Sequence, residues 1–152
     1  MRCTKSHNAG FSLIELVVTM LVMAILFAIV MNSVGTDQSN LRAEINNLKA
    51  ALRYTQQLSI ASDNTVTYGI TVTGTGYTLV RTGGSGNVPL LPGENTSTHA
   101  FSGGVSSSGG AFNFTEWGGL ATGSSTSTTL TKSGSGSKTI NLISETGYAY
   151  ES

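Results

Sequence analysis

The chain has 152 residues, eight basic and eight acidic side chains and a formal net charge of zero. That length holds one small domain and an extension, and it leaves no room for a second sizeable core. Its only cysteine, Cys3, has no partner within the chain, which excludes an intrachain disulfide framework, so stability must come from packing.

The first element is the most informative. Arg2 and Lys5 precede Gly10, and residues 11–31 form an apolar span with a single carboxylate, Glu15. About 20 apolar residues in a helix cross the roughly 30 Å hydrocarbon core of a bilayer. A secretory signal would need a small-residue cleavage site after the apolar region, and Ala24 and Ala28 do not make one. A plain anchor accounts for the length and for the positive flank, which stays cytoplasmic. It gives no reason for Glu15, because ionisable groups inside spans are rare and paired. Cys3 lies before the apolar region, the wrong place for a lipoprotein cysteine.

Residues Gly10-Phe11-Ser12-Leu13-Ile14-Glu15 resemble the prepilin cleavage and methylation motif of type IV pilins and type II secretion pseudopilins. The resemblance implies that a membrane-embedded prepilin peptidase cuts between Gly10 and Phe11 and methylates the new amino group of Phe11. It implies that Glu15 meets the amino terminus of a neighbouring subunit during assembly. Each charge is costly alone in an apolar bundle, and each neutralises the other. It further implies a single-pass protein of the bacterial inner membrane, N-terminus cytoplasmic and head periplasmic, handed by an inner-membrane assembly platform to other pilin or pseudopilin subunits. Loss of residues 1–10 removes two basic groups and leaves 6 basic and 8 acidic side chains, a net charge of −2. No nucleic-acid partner is expected on that account.

After the span, Leu41, Ile45, Leu48 and Leu52 recur at helical spacing. Ala51, Leu58 and Ala61 widen this stripe, while Arg42, Glu44, Asn46, Asn47, Lys49 and Arg53 are expected to point largely elsewhere. Residues 32–62 are therefore expected to continue the helix as its amphipathic half, straight or mildly bent near Gly35, since glycine weakens a helix interior by about 1 kcal/mol. Asp63 and Asn64 are expected to form its polar C-terminal turn rather than a cation site.

From Thr65 the period becomes two. Val66, Tyr68, Ile70 and Val72 alternate with polar residues, residues 73–76 signal a turn, and Tyr77–Thr82 reads as the returning strand. Residues 87–97 hold both prolines, Pro89 and Pro92, and read as a loop or irregular edge. Further strands are expected at 98–101, 111–115, 128–132, 138–143 and 147–151, with Gly/Ser/Thr turns at 106–110, 123–127 and 133–137. The order Phe112-Asn113-Phe114, Gly118, Gly123, Leu130, Lys138 to Leu142 and Thr146-Gly147-Tyr148 is similar to the C-terminal β-region of the GspH/FimT family of minor pseudopilins and minor pilins. Some DNA-uptake members of that family carry arginines in the tail. Here Tyr148 to Glu151 is uncharged or acidic, so phosphate contacts are missing.

Residues 63–152 are thus expected to form a β-rich head, which the resemblance places in the periplasm, and the expected fold class is α+β: the resemblance implies a pilin fold with a long N-terminal helix packed on an antiparallel sheet. No catalytic residue, metal site or cofactor is expected. His99 is read as an exposed loop or strand-end residue. Phe112 and Phe114 are read as inward residues of one strand, and Trp117 as the aromatic most available to a partner. The functional expectation is a structural, non-enzymatic subunit. Two alternatives stand beside it: a minor pilin that binds DNA or a surface, and an unprocessed membrane-anchored protein.

Overall fold

The computed structural model describes residues 12–33 and 36–152. They belong to two compact units divided after Gly35. The first unit contributes helix α1 (Leu13–Ser33), and the second opens with helix α2 (Thr36–Ala61). The bend expected near Gly35 lies outside the described residues.

Helix α2 forms where the helical spacing places it. Leu41, Ile45, Leu48, Ala51 and Leu52 are all buried. Leu58 packs against the edge of the same core, whereas Ala61, expected in the stripe, is exposed. Below them on the same face, Thr55 and Ser59 are fully buried. Thr55 returns its hydroxyl to the Ala51 carbonyl at 2.8 Å. Ser59 Oγ donates to the Tyr68 carbonyl at 3.2 Å and accepts the Tyr68 amide at 3.0 Å, so it pairs with the neighbouring strand as a backbone residue would. The helix then ends. Asp63 Oδ1 accepts the Thr65 hydroxyl and amide, the polar turn expected there, and these bonds hold the Asp63 carboxyl below its ordinary value.

Eight strands follow: β1 (Thr67–Thr73), β2 (Gly76–Thr82), β3 (Thr98–Ala100), β4 (Val105–Ser107), β5 (Gly110–Asn113), β6 (Ser127–Lys132), β7 (Gly136–Leu142) and β8 (Ala149–Glu151). They form two four-stranded antiparallel sheets, ordered β3-β2-β1-β5 and β4-β6-β7-β8, where the sequence pattern predicts one. Strand β4 falls partly inside a segment that reads as a turn. The β1–β2 hairpin has the expected turn, with Thr73 opposite Gly76. Residues 87–97 form the expected loop.

Helix α2 packs on β1 of the first sheet and on all four strands of the second. Both sheets therefore send their inward residues to one core. Ile70, Leu79, Phe112 and Phe114 come from the first sheet and its continuation, Leu130 and Ile140 from the second, and all are essentially inaccessible. The arrangement is α+β and pilin-like.

Candidate functional site: an uncovered apolar helix and a polar cluster

Helix α1 begins where Ser12 offers its carbonyl to the amides of Glu15, at 3.0 Å, and Leu16, at 3.2 Å. Glu15 stands in the first turn, where the partial positive charge of the helix N-terminus favours a carboxylate. Every described side chain from Ser12 to Ala28 is exposed. The exposed residues include Leu13, Ile14, Met23 and Phe27, on all sides of the helix. A helix that is apolar all round is stable only when something else covers it. Among the described residues no helix is long and apolar enough to cross a membrane; the described side chains of α1 stop at Ala28, short of the expected 11–31 span. Gly10 and Phe11, the expected cleavage and methylation residues, lie outside the described residues.

The family model of the prokaryotic N-terminal methylation motif matches residues 5–31. This chain carries the type IV pilin and pseudopilin signature. That signature marks a structural family whose members assemble with other pilin subunits after processing by the prepilin peptidase. Comparison with curated proteins and with solved structures finds no match.

The pilin-like head contains a polar cluster that the spacing of its residues does not announce. His99 is not an exposed strand-end residue. It sits within β3 with its side chain 15% exposed, Nε2 lying 2.9 Å from Glu44 Oε2 and Nδ1 lying 2.6 Å from Glu94 Oε1. Glu44, expected to point away from the core, is buried. The helical count explains this, because Glu44 stands three residues after Leu41 and four before Leu48 and so shares their face. Its other oxygen, Oε1, accepts the Ser102 amide at 2.9 Å and the Ser102 hydroxyl. Tyr77 stacks on the imidazole with ring centroids 4.8 Å apart.

The electrostatics of the cluster follow from these bonds. Burial pushes the Glu44 pKa up, but the Ser102 hydroxyl and amide, and then His99, outweigh it and hold the carboxyl below its ordinary value. Burial pushes His99 down, and the bonds to Glu94 and Glu44 outweigh it, so His99 titrates above its ordinary value. The Tyr77 hydroxyl is raised by burial and by the two nearby carboxylates. Both imidazole nitrogens are thus committed to carboxylates of this chain. Among the described residues no group of three His, Cys, Asp or Glu side chains is arranged to hold a metal ion. The cluster ties helix α2 to the 87–97 loop and to β3, which is a structural task.

At the other end of α2, Gln56 Nε2 donates to the Gly118 carbonyl at 2.7 Å and to the Thr146 carbonyl at 2.6 Å. The two loops meet there so closely that a Cβ at Gly147 would strike the Gly118 carbonyl, and both glycines have positive φ. Gln56→Ala is expected to destabilise the head by about 1–3 kcal/mol, because two loop carbonyls lose their donor. Urea unfolding measures it, and an unchanged midpoint would show that water replaces the amide without loss. Beside this junction Trp117 is 85% exposed, as expected of the aromatic most available to a partner.

Proposed function

We propose that the chain is a minor pilin or pseudopilin of the GspH/FimT type, a structural subunit that enters a type IV pilus or a type II secretion pseudopilus through its N-terminal helix. The observation that carries this reading is the uncovered apolar surface of α1, lying within the matched motif and carrying Glu15 in its first turn. Before assembly the bilayer covers that surface; residues 11–31 cross the inner membrane with the N-terminus cytoplasmic and the head periplasmic. The prepilin peptidase cuts after Gly10 and methylates Phe11. The assembly platform then passes the subunit into a filament, where neighbouring helices replace lipid. Glu15 sets the axial register by meeting the Phe11 amine of the next subunit.

The physics of the register is asymmetric. Leaving one member of a buried ion pair alone costs about 3–5 kcal/mol. Glu15→Ala leaves the neighbour's amine in that position, so the assembled fraction is expected to fall by about a hundredfold or more. Sedimentation of sheared filaments from cells measures this. Intact mass of the cell-derived protein tests the preceding step: a chain beginning at methylated Phe11 supports the reading, and a chain still beginning at Met1 overturns it.

A further inference from the structure

We propose that the pocket between the first turns of α2 and the β6–β7 hairpin is a phosphate-binding site, filled by a phospholipid headgroup while the chain sits in the bilayer. The pocket is a half-open cavity of about 90 Å³ lined by Gln38, Leu41, Arg42, Ser135 and Lys138. A water molecule takes about 30 Å³ in the liquid, so the space is about three waters large. That suits a small oxyanion.

Each lining residue is placed by its element. Gln38, Leu41 and Arg42 lie at spacings of three and four on the first two turns of α2, so they share one side of it. Lys138 precedes Ile140 and Leu142 at even steps along β7 and continues their inward face, the side on which α2 packs. Ser135 belongs to the turn before β7, where its amide donates to the Lys132 carbonyl at 3.1 Å.

The lining is one of donors. Arg42 and Lys138 bring two positive charges, the Gln38 amide and the Ser135 hydroxyl can each donate, and Leu41 is the apolar wall. A guanidinium fork matches two phosphate oxygens, and an ammonium meets a third as a point charge. Lys138 Nζ also lies 3.2 Å from Glu151 Oε1, but it has three N–H groups and that half-exposed pair is weakly held. The Ser135 hydroxyl decides the matter. It is buried, and among the described residues it has no hydrogen-bond partner. A buried hydroxyl is disfavoured unless something bonds it, and the two cations beside it call for an anion.

The source of the phosphate follows from the chain, and this step rests on the reading that the bilayer covers α1. Gln38 follows Ser33, the last residue of α1, by five positions. At most roughly 18 Å of chain therefore joins the apolar helix to the pocket, whatever the orientation of the head. With residues 11–31 in the membrane, headgroup phosphates are within that reach. The half-open mouth lets the ester arms of a phosphodiester project.

The test titrates the full-length chain in neutral maltoside micelles, at fixed ionic strength and neutral pH, with three probes. These are inorganic phosphate, the soluble phosphodiester headgroup glycerophosphoglycerol, and acetate, read by calorimetry and, for the phosphates, by phosphorus NMR line widths. Both phosphates are expected to bind saturably, and acetate about tenfold more weakly. Arg42→Gln with Lys138→Gln should raise both phosphate Kd values by about tenfold or more, because hydrogen bonds to charged groups are lost. Both side chains are exposed, and an unchanged urea midpoint without phosphate shows that this variant is folded. Ser135→Ala separates binding from structure. It should weaken phosphate by about fivefold yet leave the phosphate-free midpoint unchanged or raised, since the hydroxyl bonds nothing among the described residues. Binding of inorganic phosphate without the diester overturns the lipid source and leaves a free-phosphate site. Acetate binding as tight as phosphate overturns the phosphate site in favour of a carboxylate from another subunit. No saturable phosphate binding, or affinity untouched by the double variant, overturns it outright. A chain that binds phosphate but still begins at Met1 in cells overturns the filament reading alone.

Discussion

Phe112→Ala is expected to lower the stability of the head by about 3–5 kcal/mol, the range for truncating a buried phenylalanine. Phe112 is fully buried and sits opposite Ile70 where β5 pairs with β1. Phe114, fully buried too, continues the same face and is held by its bridge to Leu120. Helix α2 closes one side of this core and the second sheet contributes Leu130 and Ile140. A helix and two hydrogen-bonded sheets surround the site, so it cannot collapse to fill the space. Thermal unfolding should show a fall in Tm on the order of 15 °C for a domain of this size. Trp117→Ala removes a larger ring and is expected to change stability by less than about 0.5 kcal/mol, since that ring is 85% exposed. A loss below about 1 kcal/mol for Phe112→Ala would mean that the core is not built around this residue.

That contrast is written in the sequence, and the reason is local. Phe112 and Phe114 are separated by one residue, which places both on one side of a strand. Trp117 stands next to two glycines and belongs to no repeating pattern. The α2 stripe and the β1–β2 hairpin are legible on the same grounds, because each is encoded in spacing over a few turns or pleats. Strand β4 is not, because Val105-Ser106-Ser107 holds one apolar residue amid serines and glycines. The division into two sheets is also hidden. It depends on which strands pair across long separations, as when β5 joins β1 and leaves β6 to β4.

The methylation motif is fully legible, since it is a contiguous string of residues with a fixed spacing. The polar cluster is not. Glu44, Glu94 and His99 come from a helix, a loop and a strand, and 55 positions separate Glu44 from His99. The available signal is the position of Glu44 between Leu41 and Leu48. A carboxylate placed on an apolar stripe must find a partner, because a buried charge left alone is strongly disfavoured.

Disruption of that partnership is expected to have the second-largest effect on the head. In His99→Ala, Glu44 keeps its Ser102 bonds at Oε1 but loses the charge facing Oε2. A hydrogen bond to a charged group contributes about 1.5–3 kcal/mol, and the buried Glu44 side chain places its bond in the upper part of that range. The bond to Glu94 adds less, at most about 1 kcal/mol, because Glu94 is 37% exposed. The pH dependence separates this from simple loss of packing. His99 titrates above 6.5 when folded, so its contribution is fully present below pH 6.5 and is lost as pH rises through the raised value. Glu44 titrates below 4.5 when folded, so its contribution is present above pH 4.5 and is lost as pH falls through the lowered value. The cluster is therefore most stabilising between those two values, a mildly acidic window. His99→Gln should flatten the loss of stability above pH 6.5 and leave the acid limb governed by Glu44 with Ser102. Glu44→Gln should do the reverse on the acid side while weakening the hold on His99. Urea midpoints measured for the three chains from about pH 4 to 9 decide the matter. Parallel curves for the original chain and His99→Gln above pH 6.5 would show that folding does not raise the titration of the imidazole, and the charge account of the cluster would then fail.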